Sequence, residues 1–518
     1  MRILLITGLL AEDLVKRYIQ ECKVEAEVLA LKVPVAAFLT PDSIASALKG
    51  RATKGFDMIF VPGLIRGDTV NISKATGIPT FKGPRYAADL PTTMESIDEV
   101  KFSTTVPACD LLGEKLRKKA LQELEKVEQN RDKLLKKPGN LLTKNLAIGK
   151  DFPMRVMAEI VDAALLETTE VQRLAKQFAQ TGADIIDVGM IAGENRPADV
   201  RRLVEAVKKV VDVPVSIDTL NPEEIKAAVS AGADIIMSAD EGNIEEIAPF
   251  AKDCTIVAIP TNQRNGYFPK KAQERVQLLE QIIKTARKLG VTKILGDLIL
   301  EPSDILESFI AYRQFAERNH DVPLFVGVSN VTELFDADSV GINALLARLS
   351  SEVDASVLLA TEKSDKAKGT VKEEVIAAKM MFLAKKRGTV PKDLGINLLI
   401  LKDKRNREDL YNREQEKYIQ VINATEKADT KLLDEAGSFR ITIDRTEKTI
   451  IAAHYTSQEM SKPTTIIKGK TVEDICSKVI EKGLVSQIDH AGYLGKELAK
   501  AEIALRSGKE YIQDKPLF

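Results

Sequence analysis

VPVSIDTLNPEEIKAAVSAGADIIMSA, residues 213–239, decides the fold because it contains a strand, a helix and a second strand in direct succession. An apolar, β-branched run ends at Asp218, a helical pattern follows Pro222, and Gly232 precedes the next apolar run. Such uninterrupted apolar runs predict parallel strands buried on both faces, and glycine suits the C-terminal cap of the helix. The echo TGADIID begins at Thr181, which indicates that the segment is one unit of a repeat.

The repeat extends over most of the middle of the chain. Eight apolar strand-like runs, each followed by a helical pattern, occupy residues 152–387, and that number matches a (β/α)₈ barrel; an open doubly wound sheet is the alternative. Thr370 with Glu373 and Thr471 with Asp474 have the spacing of a capping box, which predicts two helix starts. We therefore predict an α/β fold made of an N-terminal α/β, Rossmann-like domain (1–108), a helical linker (109–150), a central (β/α)₈ TIM barrel (151–390) and a C-terminal α+β domain (391–518).

The composition excludes several classes of function. The 75 Lys and Arg residues nearly balance the 76 Asp and Glu residues, for a net charge of −1, so no global field favours nucleic acid or an anionic membrane. The four cysteines are scattered without a CxxC spacing, and we predict reduced thiols and no metal on this chain. The opening MRILLITGLL resembles a first strand more than a signal peptide. We expect a cytoplasmic protein with a small-molecule partner.

Polar residues at the ends of the predicted strands form the candidate site. In TIM barrels the active site lies at the carboxyl ends of the strands, so a carboxylate that ends a buried strand faces the mouth. An aspartate there accepts two parallel hydrogen bonds from a flat N–H and NH₂ edge, and we infer that the ligand is a small nitrogen heterocycle. The strand-end residues selected in this way are Glu159, Asp187, Asp218, Ser238, Asp297 and Asn330.

Two stretches carry a resemblance to a known family. GADIIDVG followed by GENRPAD, and VPVSIDTLNPEEIKAAVSAGADII, resemble the two pterin-site motifs of dihydropteroate synthases. The barrel is similar to those of the synthases and of corrinoid-dependent methyltetrahydrofolate methyltransferases, and with its flanking domains the chain resembles archaeal dihydropteroate synthase-related proteins. The resemblance implies a reduced pterin as substrate or cofactor, held by Asp218 and Asp297. Asn330 resembles the methyltransferase form of strand seven.

The chain departs from the synthase pattern where the synthases bind pyrophosphate. Glu159 stands in the region of the first-strand Asn motif, and no lysine follows Ser329. Lys363 and Lys366 precede the helix after strand eight, a common phosphate site in barrels, and with Arg196 they are candidates for binding an anion. A solvated basic loop is the alternative interpretation.

The resemblance implies the transfer of a pterinylmethyl or one-carbon group in archaeal folate or methanopterin metabolism, and no residue is assigned as catalytic. One alternative is a methyl-pterin methyltransferase. The chain has only three histidines and no DxHxxG motif, so its corrinoid would come on a separate protein. A second alternative is a non-catalytic pterin-binding or assembly module. A homodimer is a further expectation.

Overall fold

The computed structural model describes residues 1–22, 24–50, 53, 55–402, 420–422, 424, 434–456 and 461–518. Contacts divide the chain into two compact units, Met1–Lys402 and Asp403–Phe518. The first unit therefore continues past the predicted boundary at 391, and buried Leu394 packs in a cluster with Leu124 of the linker. Among the described helices, none is both long enough and apolar enough to cross a bilayer.

The first unit begins with a small α/β domain, as predicted. Its four strands form a parallel sheet in which the second strand along the chain lies at one edge, followed by the first, the third and the fourth. Both faces of the sheet carry apolar clusters. The elements are β1 (Arg2–Gly8), α1 (Glu12–Ile19), β2 (Glu25–Leu31), α2 (Pro41–Leu48), β3 (Met58–Val61), α3 (Val70–Thr76), β4 (Thr80–Lys82) and α4 (Leu90–Met94).

The linker is helical only in its first part, so the prediction of a helical segment through residue 150 is wrong at its end. Three helices, α5 (Ala108–Leu111), α6 (Gly113–Gln129) and α7 (Arg131–Leu134), are followed by an antiparallel hairpin of β5 (Asn140–Thr143) and β6 (Leu146–Gly149). Ile148 of the hairpin packs among the interior side chains of the barrel, and the Thr143 hydroxyl lies 2.6 Å from that of Thr255. The hairpin thus closes the amino end of the barrel.

The barrel itself is confirmed, with all eight strands inside the predicted apolar runs. Every neighbouring pair is parallel, and pairing of the last strand with the first closes the sheet, which rules out the open doubly wound alternative. The strands are β7 (Arg155–Ile160), β8 (Ile185–Gly189), β9 (Val215–Asp218), β10 (Ile235–Ala239), β11 (Thr255–Ala258), β12 (Ile294–Gly296), β13 (Leu324–Val326) and β14 (Ala355–Thr361).

Amphipathic helices surround the strands and bury their apolar faces against them. The helix after strand eight begins at Thr370, as predicted, but the predicted capping box is absent: Gly369 is the N-cap residue, and Glu373 accepts a hydrogen bond from Asn343 at 2.7 Å. The helices are α8 (Thr168–Thr181), α9 (Pro197–Lys208), α10 (Pro222–Ser230), α11 (Ile244–Ala251), α12 (Ala272–Lys288), α13 (Ile305–Arg318), α14 (Ser329–Thr332), α15 (Ser339–Glu352) and α16 (Thr370–Arg387).

The second unit is an α+β module. An antiparallel sheet of β15 (Ser438–Asp444), β16 (Thr449–Tyr455) and β17 (Thr465–Gly469) packs against α17 (Val472–Glu481) and α18 (Ile488–Ser507). The capping box of Thr471 and Asp474 is present at the start of α17. Asp434 lies before α18 and accepts hydrogen bonds from the Ser486 backbone at 3.0 Å and from His490 Nδ1 at 2.8 Å, which fixes the start of this helix.

Candidate functional site

The mouth of the barrel brings together three carboxylates from adjacent strands. Glu159 of β7 pairs in register with Asp187 of β8, and Asp218 ends β9 opposite Gly189. One carboxylate oxygen of each acid lies within 4.8 Å of the others. The strand ends converge because the three strands are neighbours in a parallel barrel, whose carboxyl ends all open on one side.

Burial and mutual repulsion make these acids hard to ionise. Burial, together with the charges of Asp218 and Asp162, raises the pKa of Glu159 to about 8. Burial and the charges of Asp218 and Glu159 raise the pKa of Asp187 well above its usual value. Burial also raises the pKa of Asp218, against a hydrogen bond from Ser238 that lowers it. Ionising all three acids at once is therefore unfavourable.

A serine hydroxyl orients each of the two aspartates. Ser216 of β9 donates to Asp187 Oδ1, and Ser238 of β10 donates to Asp218 Oδ1 at 2.8 Å. Ser238 has a positive φ of 63°, a conformation that is uncommon outside glycine and concentrates at functional sites. The local backbone thus turns the Ser238 side chain towards the carboxylate.

Asp297 lies directly after β12 and is firmly positioned. Its Oδ1 accepts hydrogen bonds from the buried Tyr312 hydroxyl and from the Ile299 backbone at 2.8 Å. Ile299 has a positive φ of 64°, which is strained for a β-branched residue. Burial raises the pKa of Asp297 to about 6, against these two hydrogen bonds, which lower it. Asp297 is therefore mostly ionised at neutral pH and is a strong acceptor.

Asn330 and the loop after β14 complete the mouth. The exposed Asn330 side chain donates to the Leu300 carbonyl at 3.3 Å, close to the Asp297 loop. The carboxylate of Glu333 accepts from the backbone of Lys363 at 3.1 Å and of Ser364 at 3.3 Å. The carboxylate of Glu362 accepts from the Val371 backbone at the start of α16, at 3.2 Å. Backbone amides that could bind a phosphate thus already donate hydrogen bonds to carboxylates of the protein itself.

The three predicted anion-binding side chains are each engaged. Lys363 forms an ion pair with Asp162 at 2.6 Å. Lys366 donates to the Phe335 carbonyl. Arg196 pairs with Glu194 and, at 3.4 Å, with Asp199. An anion would have to compete with these partners, and the anion-binding role stays a prediction.

Two surface cavities lie apart from this group of acids. One, of about 510 Å³, is lined by Glu241, Glu245 and Arg264 among others, in the loops after β10 and β11. The other, of about 450 Å³, adjoins Lys144 and Lys293 at the amino end of the barrel. Neither cavity contains the strand-end carboxylates, which converge at the mouth of the barrel.

The sequence predicts the acids of the site but not the side chains that hold them. Ser216 and Tyr312 were not among the predicted residues, although both donate to site carboxylates. Tyr312 lies on α13 with a side chain that is fully buried, so in the sequence it resembles an ordinary core aromatic. For Ser216 a signal existed, namely a hydroxyl inside an otherwise apolar strand two residues before Asp218.

Comparison with known proteins identifies the barrel. A family model described as "Pterin binding enzyme" matches residues 160–362. The chain belongs to the dihydropteroate synthase-related, pterin-binding barrel proteins. The model PterinBD-DUF4346 matches residues 433–514, and a family of unknown function, DUF6513, matches residues 1–85. The regions on either side of the barrel thus each match a separate family model.

Relatives match the whole chain or only part of it. "Uncharacterized protein MJ0107" of Methanocaldococcus jannaschii is 42% identical over 536 residues, covering 100% of this chain and 99% of the relative. The dihydropteroate synthase of Clostridium beijerinckii is 27% identical over 141 residues, covering 24% of this chain and 51% of the synthase. A structure of dihydropteroate synthase from Xanthomonas albilineans in complex with 7,8-dihydropteroate has 20% identity and a TM-score of 0.38, covering 46% of this chain and 96% of that one.

Proposed function

We propose that this protein binds a reduced pterin in the barrel mouth and transfers a one-carbon or pterinylmethyl group, in the archaeal folate or methanopterin metabolism expected from its sequence. The observation that carries the proposal is Asp297. Its Oδ1 is held by two donors, and in the described part of the chain no hydrogen bond reaches Oδ2. An ionised aspartate has about four acceptor positions, so Asp297 retains capacity for the N–H and NH₂ edge of a pterin.

Asp218 and Asn330 are the proposed partners of Asp297. Asp218 ends β9 at the same mouth, and its charge contributes to the raised pKa of Asp297. Asn330 adjoins the Asp297 loop through its hydrogen bond to Leu300, so its amide can approach the ring nitrogen that bears the transferred carbon. Ser238 supports Asp218 from the neighbouring strand.

One observation favours a methyl-pterin methyltransferase over a synthase reaction that releases pyrophosphate. The carboxylate of Glu333 accepts a hydrogen bond from a backbone amide of the loop after β14, and that of Glu362 accepts one from the start of α16. A helix N-terminus attracts anions, but here it already binds a carboxylate. A methyl or methylene donor brings no pyrophosphate, and a separate corrinoid protein is then the proposed methyl acceptor.

Calorimetry with a 7,8-dihydropterin and a tetrahydropterin tests the binding proposal. We expect wild-type protein to bind at least one of them and Asp297→Ala to bind at least about 10-fold more weakly, because a hydrogen bond to a charged group contributes about 1.5–3 kcal/mol. Asp253→Asn, an exposed acid before β11, is the control and should bind normally. Absence of binding, or equal binding by Asp297→Ala, would contradict the proposal.

Turnover assays then distinguish pterinylmethyl transfer from methyl transfer. Hydroxymethyl-dihydropterin pyrophosphate with p-aminobenzoate tests pterinylmethyl transfer. A methyl-tetrahydropterin with a separate corrinoid protein, followed through the cobalt absorbance spectrum, tests methyl transfer. Tight pterin binding without turnover in either assay would indicate the non-catalytic alternative.

A further inference from the structure

A fully buried arginine lies behind the loop that carries Asp297. Arg275, near the start of α12, has no exposed surface, and arginine is almost never buried to this extent unless its guanidinium is paired. Its Nε donates to the Pro269 carbonyl and its Nη1 to the Ile299 carbonyl, both at 3.0 Å. Its Nη2 donates to Glu301 Oε2 at 2.8 Å. The guanidinium therefore ties the loop after β11 to the loop after β12.

The contact with Ile299 holds a strained part of the backbone. Ile299 has a φ of 64°, which is unfavourable for a β-branched residue and persists only where the surroundings enforce it. Its N–H donates to Asp297 Oδ1 at 2.8 Å, while its carbonyl accepts from Arg275. The next carbonyl, of Leu300, accepts from the Asn330 side chain at 3.3 Å. Both proposed pterin contacts, Asp297 and Asn330, therefore depend on the conformation of this loop.

The charge of Arg275 also acts on the site carboxylate. Burial is the largest influence on the pKa of Asp297 and raises it to about 6, against the hydrogen bonds from Tyr312 and Ile299. Of the charges that act on Asp297, that of Asp218 raises its pKa and that of Arg275 lowers it. Removing the guanidinium would therefore make Asp297 harder to ionise, and an ionised carboxylate is the stronger hydrogen-bond acceptor.

A second cation shares the acidic partner of Arg275 but not its contacts with the loop backbone. The Nζ of Lys270 lies 2.9 Å from Glu301 Oε1, and the Lys270 side chain is largely exposed. In the part of the chain that the structure describes, Lys270 donates to no backbone carbonyl of the loop after β12. A comparison of the two residues thus separates the hold on Ile299 from the presence of a positive charge.

We propose that Arg275 is a positioning residue for the pterin: its guanidinium fixes the loop after β12, and with it the orientation of the Asp297 carboxylate at the barrel mouth. This inference rests on the proposed pterin binding by Asp297 and adds a residue that does not itself touch the ring. A planar guanidinium has five donors and reaches acceptors on several sides at once, which a single ammonium cannot do. Lysine at position 275 would therefore keep the charge but lose part of the hold on the loop.

The test compares full-length Arg275→Lys, Lys270→Met and the double variant of Arg275→Lys with Ile299→Gly, each checked for folding by circular dichroism. In calorimetry with a 7,8-dihydropterin and a tetrahydropterin, Arg275→Lys should bind about 10-fold more weakly or worse, because a small misplacement of a binding group has a large effect. Lys270→Met should bind like wild type. Glycine adopts a positive φ without strain, so Ile299→Gly should restore most of the lost affinity, a rescue that a merely structural role of Arg275 would not allow.

A second measurement needs no pterin. The difference in Tm between each protein and the same protein with Asp297→Asn, measured from pH 4.5 to 8.5, reports the ionisation of Asp297. For wild type this difference should stop growing near pH 6. For Arg275→Lys it should stop growing at a higher pH, because the Ile299 N–H is no longer held against Asp297 Oδ1. Lys270→Met should follow wild type.

Wild-type pterin affinity and an unchanged pH dependence in folded Arg275→Lys would overturn the proposal, as would equal effects in Lys270→Met or no rescue by Ile299→Gly. If Arg275→Lys does not fold, Ser308→Ala replaces it, because it removes one guanidinium contact, from Nη1 to Ser308 Oγ at 3.1 Å. Ser308→Ala should weaken pterin binding about 3-fold or more, and unchanged binding would overturn the proposal. Should wild type bind no pterin, the proposed function fails, and the Tm differences still decide whether Arg275 positions Asp297.

Discussion

Asp297→Asn should stabilise the barrel while it weakens pterin binding. The Asp297 carboxyl has a pKa raised from 3.8 to about 6, so the folded state disfavours its ionised form. Stability from this group is fully present below pH 3.8, falls as the pH rises towards 6, and is lost above 6. Asparagine resembles the neutral acid, and its oxygen can still accept from Tyr312 and Ile299. The substitution therefore removes the loss of folding stability that ionisation of Asp297 causes at high pH.

The size of this stabilisation follows from how far the pKa of Asp297 is raised. Each pKa unit corresponds to about 1.36 kcal/mol, so Asn at position 297 should stabilise the fold by up to about 3 kcal/mol above pH 7. Linkage reduces the gain to about 1 kcal/mol at pH 4.5, because the carboxyl is almost fully protonated there in the folded state. For a domain of this size about 3 kcal/mol corresponds to roughly 5–10 °C in Tm.

Thermal unfolding followed by circular dichroism between pH 4.5 and 8.5 measures this difference. The Tm gap between Asp297→Asn and wild type should widen with pH, while Asp253→Asn, the exposed control, should follow wild type throughout. A gap that does not change with pH, or a variant less stable than wild type at pH 8, would refute the assignment of a raised pKa to Asp297. A dihydropterin titration of the same variant should give binding about 10-fold weaker or worse, since the amide accepts hydrogen bonds less strongly than the carboxylate.

Three other predictions concern buried polar groups. Tyr312→Phe removes a donor that lowers the pKa of Asp297, so the pH midpoint of pterin binding should move above 6 in a fluorescence titration; an unchanged midpoint would contradict this role. Glu374 is fully buried with both oxygens unpartnered in the described chain, and burial raises its pKa well above normal. Glu374→Leu should therefore raise the free energy of unfolding by about 1–3 kcal/mol, more at pH 8 than at pH 5 in urea titrations, and a loss of stability would contradict it. Burial raises the pKa of Asp434, but hydrogen bonds lower it further, so that it lies below its usual value. Asp434→Asn should therefore lower the Tm of the second unit at pH 7, and the decrease in Tm should become smaller as the pH falls below 3.8. A decrease that does not change with pH would count against this.

The barrel could be predicted because its strands are buried on both faces. Uninterrupted apolar runs alternating with helical patterns leave few alternatives, and all eight runs are strands. The position of Asp218 followed from the same regularity, since a polar residue that ends a buried strand must lie at the mouth. The chemical roles of these residues do not follow from the fold, and the pterin contacts stay predictions.

Features set by distant contacts could not be predicted. Thr370 and Glu373 have the spacing of a capping box, but Asn343, on the preceding helix α15, donates hydrogen bonds to both side chains. Gly369, with a φ of 99°, is the N-cap residue of α16 instead. Glu333 reaches the amides of a loop thirty residues later, which local spacing does not indicate. The β5–β6 hairpin was missed for a related reason, because its packing partner is the end of the barrel.

Asp218 and Asp297 together constrain how a pterin can bind at the mouth. The Oδ1 of Asp218 accepts a hydrogen bond from Ser238, and the Oδ1 of Asp297 accepts from Tyr312 and Ile299. Burial raises the pKa of both acids, and the charge of Asp218 raises that of Asp297 further. Because a hydrogen-bond donor that reaches a carboxylate favours its ionised form, a pterin that binds Asp297 must offset both burial and this repulsion. The N–H and NH₂ edge of the ring directs two donors at one carboxylate and can do so.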